Sequence, residues 1–295
     1  MAERNAFDRL NELVEEILAG RPGAPVVEAD LAVLAAVAAD LRNLPSAAFK
    51  SSLMRKLIPE EAMSTMTTPT VSEVRPGFHA ITPYFVVRSA DEFIAFLQQA
   101  FGGELRGRHE LPDGRVPHAE VKIGDSMLEL GEASAEFGPL TLATHLYVND
   151  ADAVYASAVR AGATTLLPPT DQWYGDREAA IADPFGNYWY IATHQATGSA
   201  PEGLRTITPF VHVRGTDRLI DFIKRAFGAT ELDRTAGPDG LIMHAALRVG
   251  DSVIEMGEAH GEWKPMPAAV HLFVPDADAV FRSATEAGAT VLYAV

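Results

Sequence analysis

Two carboxylates and two imidazoles recur at a fixed interval in this chain. Glu129 lies in GDSMLELGEA and His145 in THLYVNDADAV; Glu255 lies in GDSVIEMGEA and His271 in AVHLFVPDADAV, each 126 residues further on. A carboxylate beside an imidazole can do three things. It can hold a divalent metal, which takes oxygen and nitrogen ligands. It can work without metal as an acid–base or ligand-binding pair, with the carboxyl pKa raised by burial. It can also be a structural pair, because a buried carboxylate needs a partner. Duplication copies all three equally, so the repeat leaves the choice open. His145 is the expected partner of Glu129, and His271 of Glu255.

Glu129 alternates with Met127 and Gly131, while Leu128 and Leu130 point the other way. That pattern predicts a strand with the carboxylate on a concave face and the leucines against helices. Tyr84, Tyr147, Trp173, Tyr188 and Tyr190 are the candidate aromatic walls for a small ligand, although aromatics at alternate strand positions are also core material. Arg177 can clamp a ligand carboxylate or phosphate with its planar fork, or brace its own turn through Asp176 or Asp183. His118 and His244 fit a rim position better than ligation. Asp183-Pro184-Phe185-Gly186-Asn187 is turn chemistry. Gly102-Gly103 ends a helix rather than opening one, so it is not a phosphate loop.

The elements that must position these residues fall into three blocks. Residues 1–65 read as helices: Phe7, Leu10, Leu13, Val14, Ile17 and Leu18 recur at helical spacing, and Gly20, Pro22, Gly23 and Pro25 stop the run. Residues 66–78 are rich in Thr, Ser and Pro and read as a linker. From His79 the period switches to strands. A β-α-β-β-β unit is predicted from ITPYFVV, a helix over 90–101, strands at 104–111 and 116–123 around a Pro-Asp-Gly turn, and a strand from Ser126. A second unit follows: a strand at 144–148, a helix at 151–161, and strands at 164–167, 178–182 and 188–193. After a linker at 196–204, the first unit's sequence returns over 205–295. Val295 falls where Pro169 lies in the first copy, and nothing corresponds to Thr170–Thr193. Either the second copy is truncated, or another chain or segment supplies its two missing strands, through a homodimer or strand exchange.

Composition narrows the class. The chain has 295 residues, a net charge of −16 and no cysteine. Without cysteine, thiol catalysis, disulfides and thiolate metal sites are excluded. The acidic balance argues against nucleic acid, whose phosphates need clustered Lys and Arg. It suits solubility alone, the more ordinary reading, and is compatible with a cationic ligand. There is no run of about 18 apolar residues, so no membrane span is expected. The charged, amphipathic N-terminus is unlike a secretory signal. The expected location is the cytoplasm.

The order of elements, FGG or FGA after the first helix of each copy, GDS-x-(Leu/Ile)-Glu and DPFGNYWYIAT together resemble the vicinal oxygen chelate superfamily. It includes glyoxalase I, bleomycin-resistance proteins and extradiol dioxygenases. The resemblance covers residues 79–295. It implies an α+β fold of paired βαβββ modules forming curved, cup-like sheets, here preceded by the helical module. The implied layout is one two-module domain over 79–195 and a second, incomplete one over 205–295. It also implies metal positions on the first and last strand of each module. In this chain those positions carry Thr82, Glu129, His145 and Tyr190 in the first copy. Thr82 stands where glyoxalase I has Gln or His, and Tyr190 where metal enzymes have Glu. Glu129, His145, Glu255 and His271 remain as metal candidates, for Zn, Ni, Fe or Mn, and Glu129 with His145 as the catalytic candidates.

Three functions are consistent with this. The first is a small-molecule binder that holds its ligand in the cup. The second is a divalent-metal enzyme of the superfamily, a glyoxalase-type lyase or isomerase or a dioxygenase. The third is a regulatory or scaffold protein acting through the helical module.

Overall fold

The computed structural model describes residues 75 and 77–293, apart from 199, 202 and 262. The predicted helical module over 1–65 lies outside the described residues. The described elements are β1 (Ile81–Val87), α1 (Ala90–Phe101), β2 (Glu104–His109), β3 (His118–Ile123) and β4 (Ser126–Glu132), followed by β5 (Ala143–Tyr147), α2 (Ala151–Arg160), β6 (Thr164–Asp171), β7 (Asp176–Ala182) and β8 (Tyr188–His194). The same order returns as β9 (Ile207–Val213), α3 (Thr216–Phe227), β10 (Thr230–Ala236), β11 (Ile242–Val249) and β12 (Ser252–Glu258), then β13 (Ala269–Leu272) and α4 (Ala277–Glu286). This is the α+β arrangement of βαβββ modules. Local chemistry sets the helix ends. Ser89 accepts from the Glu92 N–H at the start of α1, in a Ser-x-x-Glu box. Asp150 and Asp276 cap α2 and α4 in the same way.

The sheets do not follow the order of the chain. One is five-stranded, β13-β1-β4-β3-β2, and the other eight-stranded, β10-β11-β12-β9-β5-β8-β7-β6. The second module, β5 to β8, therefore joins the third, β9 to β12, across the antiparallel pair β5–β9. The first module joins β13 through β1 in the equivalent register. On the helix side the grouping differs. Phe85, Phe93, Leu97, Leu128, Leu130, Trp189 and Ile191 form one core that unites the first two modules, while Ile220, Leu247, Ile254 and Met256 anchor a second core. Residues 79–195 thus share a core, but the sheets and their concave faces are built across the 196–204 linker.

The repeated GDS stretch explains this crossing. Ser126 Oγ accepts the Ile207 N–H at 3.1 Å and Asp125 Oδ1 accepts that of Thr206 at 3.0 Å. In the mirror-related place, Ser252 Oγ accepts the Ile81 N–H at 2.9 Å and Asp251 Oδ1 that of Ala80 at 2.8 Å. Each turn thus holds the start of the other copy's first strand, satisfying backbone donors that would otherwise be buried unpaired. Gly124 and Gly250 take φ of +59°, and a Cβ on Gly124 would lie 2.4 Å from Thr206 Oγ1. The turn needs glycine for both its dihedral and its close approach.

The rest of the repeated segment has equally local reasons. Leu128 and Leu130 enter the core, as their alternation predicts, and Glu129 faces the other side. A Cβ on Gly131 would meet the Pro117 carbonyl oxygen at 2.4 Å, and one on Gly257 that of Met243 at 2.6 Å. Glu132 receives the Ala90 and Val116 N–H groups, and Glu258 those of Gly215 and Thr216, so each carboxylate supports the N-terminus of a helix.

Strand ends shift by a few residues from the sequence reading. β7 begins at Asp176 rather than 178, and β8 reaches His194 rather than 193. β6 continues through Pro168 and Pro169 to Asp171, which is tolerated because it is an edge strand.

Candidate ligand-binding cup

Register decides which side chains meet. On the eight-stranded sheet, His145 lies opposite Tyr190 on β8 and opposite Thr208 on β9, and Phe210 lies opposite Glu255 on β12. Side chains two apart on a strand share a face. Ala143, His145 and Tyr147 on β5, Asp176 and Glu178 on β7, Tyr190 and His194 on β8, and Phe210 and His212 on β9 therefore look into one concavity. It is a cavity of ≈ 690 Å³, to which β11, β12 and the segment around Trp263 add a wall.

Glu129 and His145, expected to form one pair, belong to different cups. His145 Nδ1 lies 2.5 Å from Glu255 Oε2, and His271 Nδ1 is bonded to Glu129 Oε2. The pairing is exchanged because β5 joins β9 instead of β1. Tyr84 is likewise separated from Tyr147, Trp173 and Tyr190: it lies beside Glu129, its ring 5.1 Å from His271. Tyr147, Trp173 and Tyr190 line the cavity. Arg177 does not. Its guanidinium is held by Asp152 and Asp171, neither of which is the Asp176 or Asp183 partner expected from sequence. Asp183 instead accepts from Asn187 and from Trp189 Nε1 inside its turn.

The complete cup is a polar network in an aromatic shell. His145 sits between two carboxylates, with Nδ1 on Glu255 and Nε2 3.4 Å from Glu178. Burial opposes its charge, but Glu255 and Glu178 outweigh burial and raise its pKa to about 10. Burial likewise opposes ionisation of Glu255, and His145 and His244 overcome it, lowering that carboxyl to about 2. The pair is an imidazolium–carboxylate ion pair at neutral pH. Glu255 also receives His244 Nε2 at 3.2 Å, and Asp233 holds the other ring nitrogen of His244 at 3.1 Å. Burial lowers His212 to about 4, with His260 and His145 adding to the effect, so this imidazole is neutral. Its Nε2 is 2.6 Å from the Tyr190 hydroxyl, and its ring stacks on Trp263 at 5.6 Å.

Sequence reasoning missed Asp176, Glu178, His194, His212 and Trp263 as members of this site. The available signal was the period of two along each strand. Thr208, Phe210 and His212 alternate with apolar neighbours as Met127, Glu129 and Gly131 do. His244 was read as a rim residue, and it stands at the wall beside Glu255.

Among the described residues, this cup has no group of three His, Asp or Glu ligand atoms within 4.8 Å of one another. Both nitrogens of His145 face carboxylates, Nδ1 on Glu255 and Nε2 toward Glu178. The remaining positions offer Thr208, whose hydroxyl is turned to the Arg205 carbonyl, and Tyr190, whose phenol burial holds protonated. The second cup differs. There His118, Glu120 and Glu129 each present a ligand atom within 4.8 Å of the others. That cluster could hold a metal. Arg75 lies across it, with Nη1 2.8 Å from Glu120 and Nη2 3.8 Å from Glu129.

The chain belongs to the glyoxalase/bleomycin resistance protein/dioxygenase superfamily, whose family model matches residues 77–191. Two uncharacterised proteins, of Mycobacterium bovis and Mycobacterium tuberculosis, are each 34% identical to it over 123 residues. These alignments cover 38% of this chain and 81% and 72% of those proteins. Glyoxalase I from Zea mays shares the fold at a TM-score of 0.52 and 17% identity, over 70% of this chain and 79% of that one. No helix among the described residues is long and apolar enough to cross a membrane.

Proposed function

We propose that the protein binds a small, cationic, aromatic molecule in the cup between the second and third modules. The observation that carries this reading is the charge of the cavity. Asp176, Glu178, Asp233, Glu255 and Glu258 line it, and among its described lining residues there is no Lys or Arg. His145 compensates part of that charge, and the excess is negative. Aromatic faces supply the rest: Trp173 is 89% exposed at the mouth, and Phe210, Tyr190 and Trp263 stand deeper. A cation over such rings gains from their quadrupoles as well as from the carboxylates. The volume suits one drug-sized molecule.

Calorimetric titration with 1-naphthylmethylammonium and 1-naphthoate tests this, because the two share a ring and differ in charge. The cation should bind at least about tenfold more tightly, a difference of ~1.4 kcal/mol. Equal affinity would refute a cation site. Chelator treatment should leave the affinity unchanged, since the cup holds its charges without metal.

A second reading is a metal-dependent lyase, isomerase or dioxygenase of the superfamily. Its support is the His118, Glu120 and Glu129 cluster with His271 beside it. Elemental analysis of the purified protein beside Glu129→Ala tests it. Stoichiometric metal lost in the variant supports this reading, and metal-free protein removes it.

A further inference from the structure

His194 and Asp176 face each other across the antiparallel pair β7–β8. His194 Nδ1 is 2.6 Å from Asp176 Oδ1, and the Tyr147 hydroxyl donates to Oδ2 of the same carboxylate at 3.3 Å. Asp176 is 3% exposed. A buried carboxylate that accepts a hydrogen bond from Nδ1–H fixes the tautomer of the ring and leaves the lone pair on Nε2. His194 Nε2 has no hydrogen-bond partner among the described residues, and His194 lines the cavity. Among the other imidazoles of the cup, those of His145 and His244 are engaged at both nitrogens by carboxylates. His212 Nε2 is engaged by Tyr190 and its Nδ1 is buried without a partner among the described residues, and His260 Nδ1 faces the Glu258 carbonyl rather than a carboxylate. His194 alone of them has one nitrogen held by a buried carboxylate and the other unengaged among the described residues.

We infer that His194, oriented by Asp176, is a general base in a metal-free acid–base site that acts on a flat aromatic substrate carrying an acidic O–H or activated C–H. His194 Nε2 would accept the substrate proton. The electron pair of the broken O–H or C–H bond stays on the substrate as a ring-delocalised anion. The ring of His194 keeps its Nδ1 proton, hydrogen-bonded to Asp176, which stabilises the imidazolium, and the Nε2 proton then passes to water. An oriented base in a site of this kind is worth about 10²–10⁴ in rate. The charged and titratable groups around the dyad are Glu178 on β7, Tyr147 on β5 and Tyr174 in the loop before β7. The Tyr174 hydroxyl is tied to Glu178 at 3.1 Å, so Nε2 does not compete for it. His194 is the catalytic residue of this assignment and Asp176 its positioning residue. The inference rests on the cup being the binding site, but not on the charge of what binds.

The probe is 5-nitrobenzisoxazole, a flat, uncharged ring whose elimination needs only a base. The base removes the ring C–H proton, the freed electron pair completes a nitrile, and the N–O bond breaks to release a coloured phenolate. The full chain should turn it over faster than free imidazole at equal concentration. His194→Ala and His194→Gln should each lower kcat/KM by about 10²-fold. Asp176→Asn should lower kcat while leaving KM within twofold, the split expected when the base loses its orientation and the pocket stays intact. His109→Ala, on β2 and away from this cup, should match the parent chain. Near-UV circular dichroism establishes that each variant is folded. A folded His194→Gln variant with the parental rate overturns the assignment, as does a parent chain no faster than imidazole. Turnover of this neutral probe without preference for the naphthyl cation would sink the proposed ligand charge and leave the dyad standing.

Discussion

The imidazole of His145 is bonded to Glu255, a carboxylate 110 residues further along the chain, at 2.5 Å. Glu129, only 16 residues before it, is bonded instead to His271. Both contacts follow from one topological fact, the antiparallel joining of β5 to β9 and of β1 to β13. This sets what each variant should do.

Removing one partner of the buried ion pair leaves the other charge poorly compensated. Glu255→Ala should cost about 3–5 kcal/mol of stability, read from urea unfolding. Glu129→Ala should leave the complete cup's ligand affinity within twofold, because it acts in the other cup.

The same pair sets a pH window. His145 is raised from 6.5 to about 10, so its contribution is whole below 6.5 and is lost as pH rises through 10. Glu255 is lowered from 4.5 to about 2, so its contribution is whole above 4.5 and is lost as pH falls through 2. Stability from the pair should be greatest between those two ordinary values. In Glu255→Ala the acid limb should flatten, and unfolding midpoints across pH measure this.

The GDS clamps should matter to both copies. Ser252→Ala leaves the buried Ile81 N–H without its acceptor and should cost about 1–3 kcal/mol. Ser126→Ala should do the same to Ile207. Hydrogen exchange should rise at Ile81 in the first variant and at Ile207 in the second, although each lies in the copy that was not altered.

Gly257→Ala places a methyl group against the Met243 carbonyl at the wall of the cup. Overpacking of this kind costs typically about 1–3 kcal/mol. Ligand affinity should fall in parallel as the wall is pushed inward, and calorimetry with the naphthyl cation reads it. Gly131→Ala should lower stability without lowering that affinity.

Arg177→Ala should leave ligand affinity within twofold. Its guanidinium is spent on Asp152 and Asp171 outside the cavity. A tenfold loss would show that the fork reaches the ligand after all.

Much of this was legible in the residues themselves. The period of two put Leu128 and Leu130 in the core and Glu129 on the opposite face, and Gly102-Gly103 marked a helix end. These are local properties, fixed by dihedral preference and by which side chains water expels. The superfamily likeness followed from their order. Strand partnership was not legible. Two nearly equal copies offer β5 either β1 or β9, with the same pattern on each, and alternation cannot distinguish them. The choice rests on hydrogen bonds that Asp125, Ser126, Asp251 and Ser252 accept from backbone N–H groups at the start of the other copy's first strand, contacts between residues distant in sequence. Tertiary structure alone therefore decided that His145 meets Glu255 and that Asp176 meets His194. It also decided that the acidic residues of two separate modules surround one cavity.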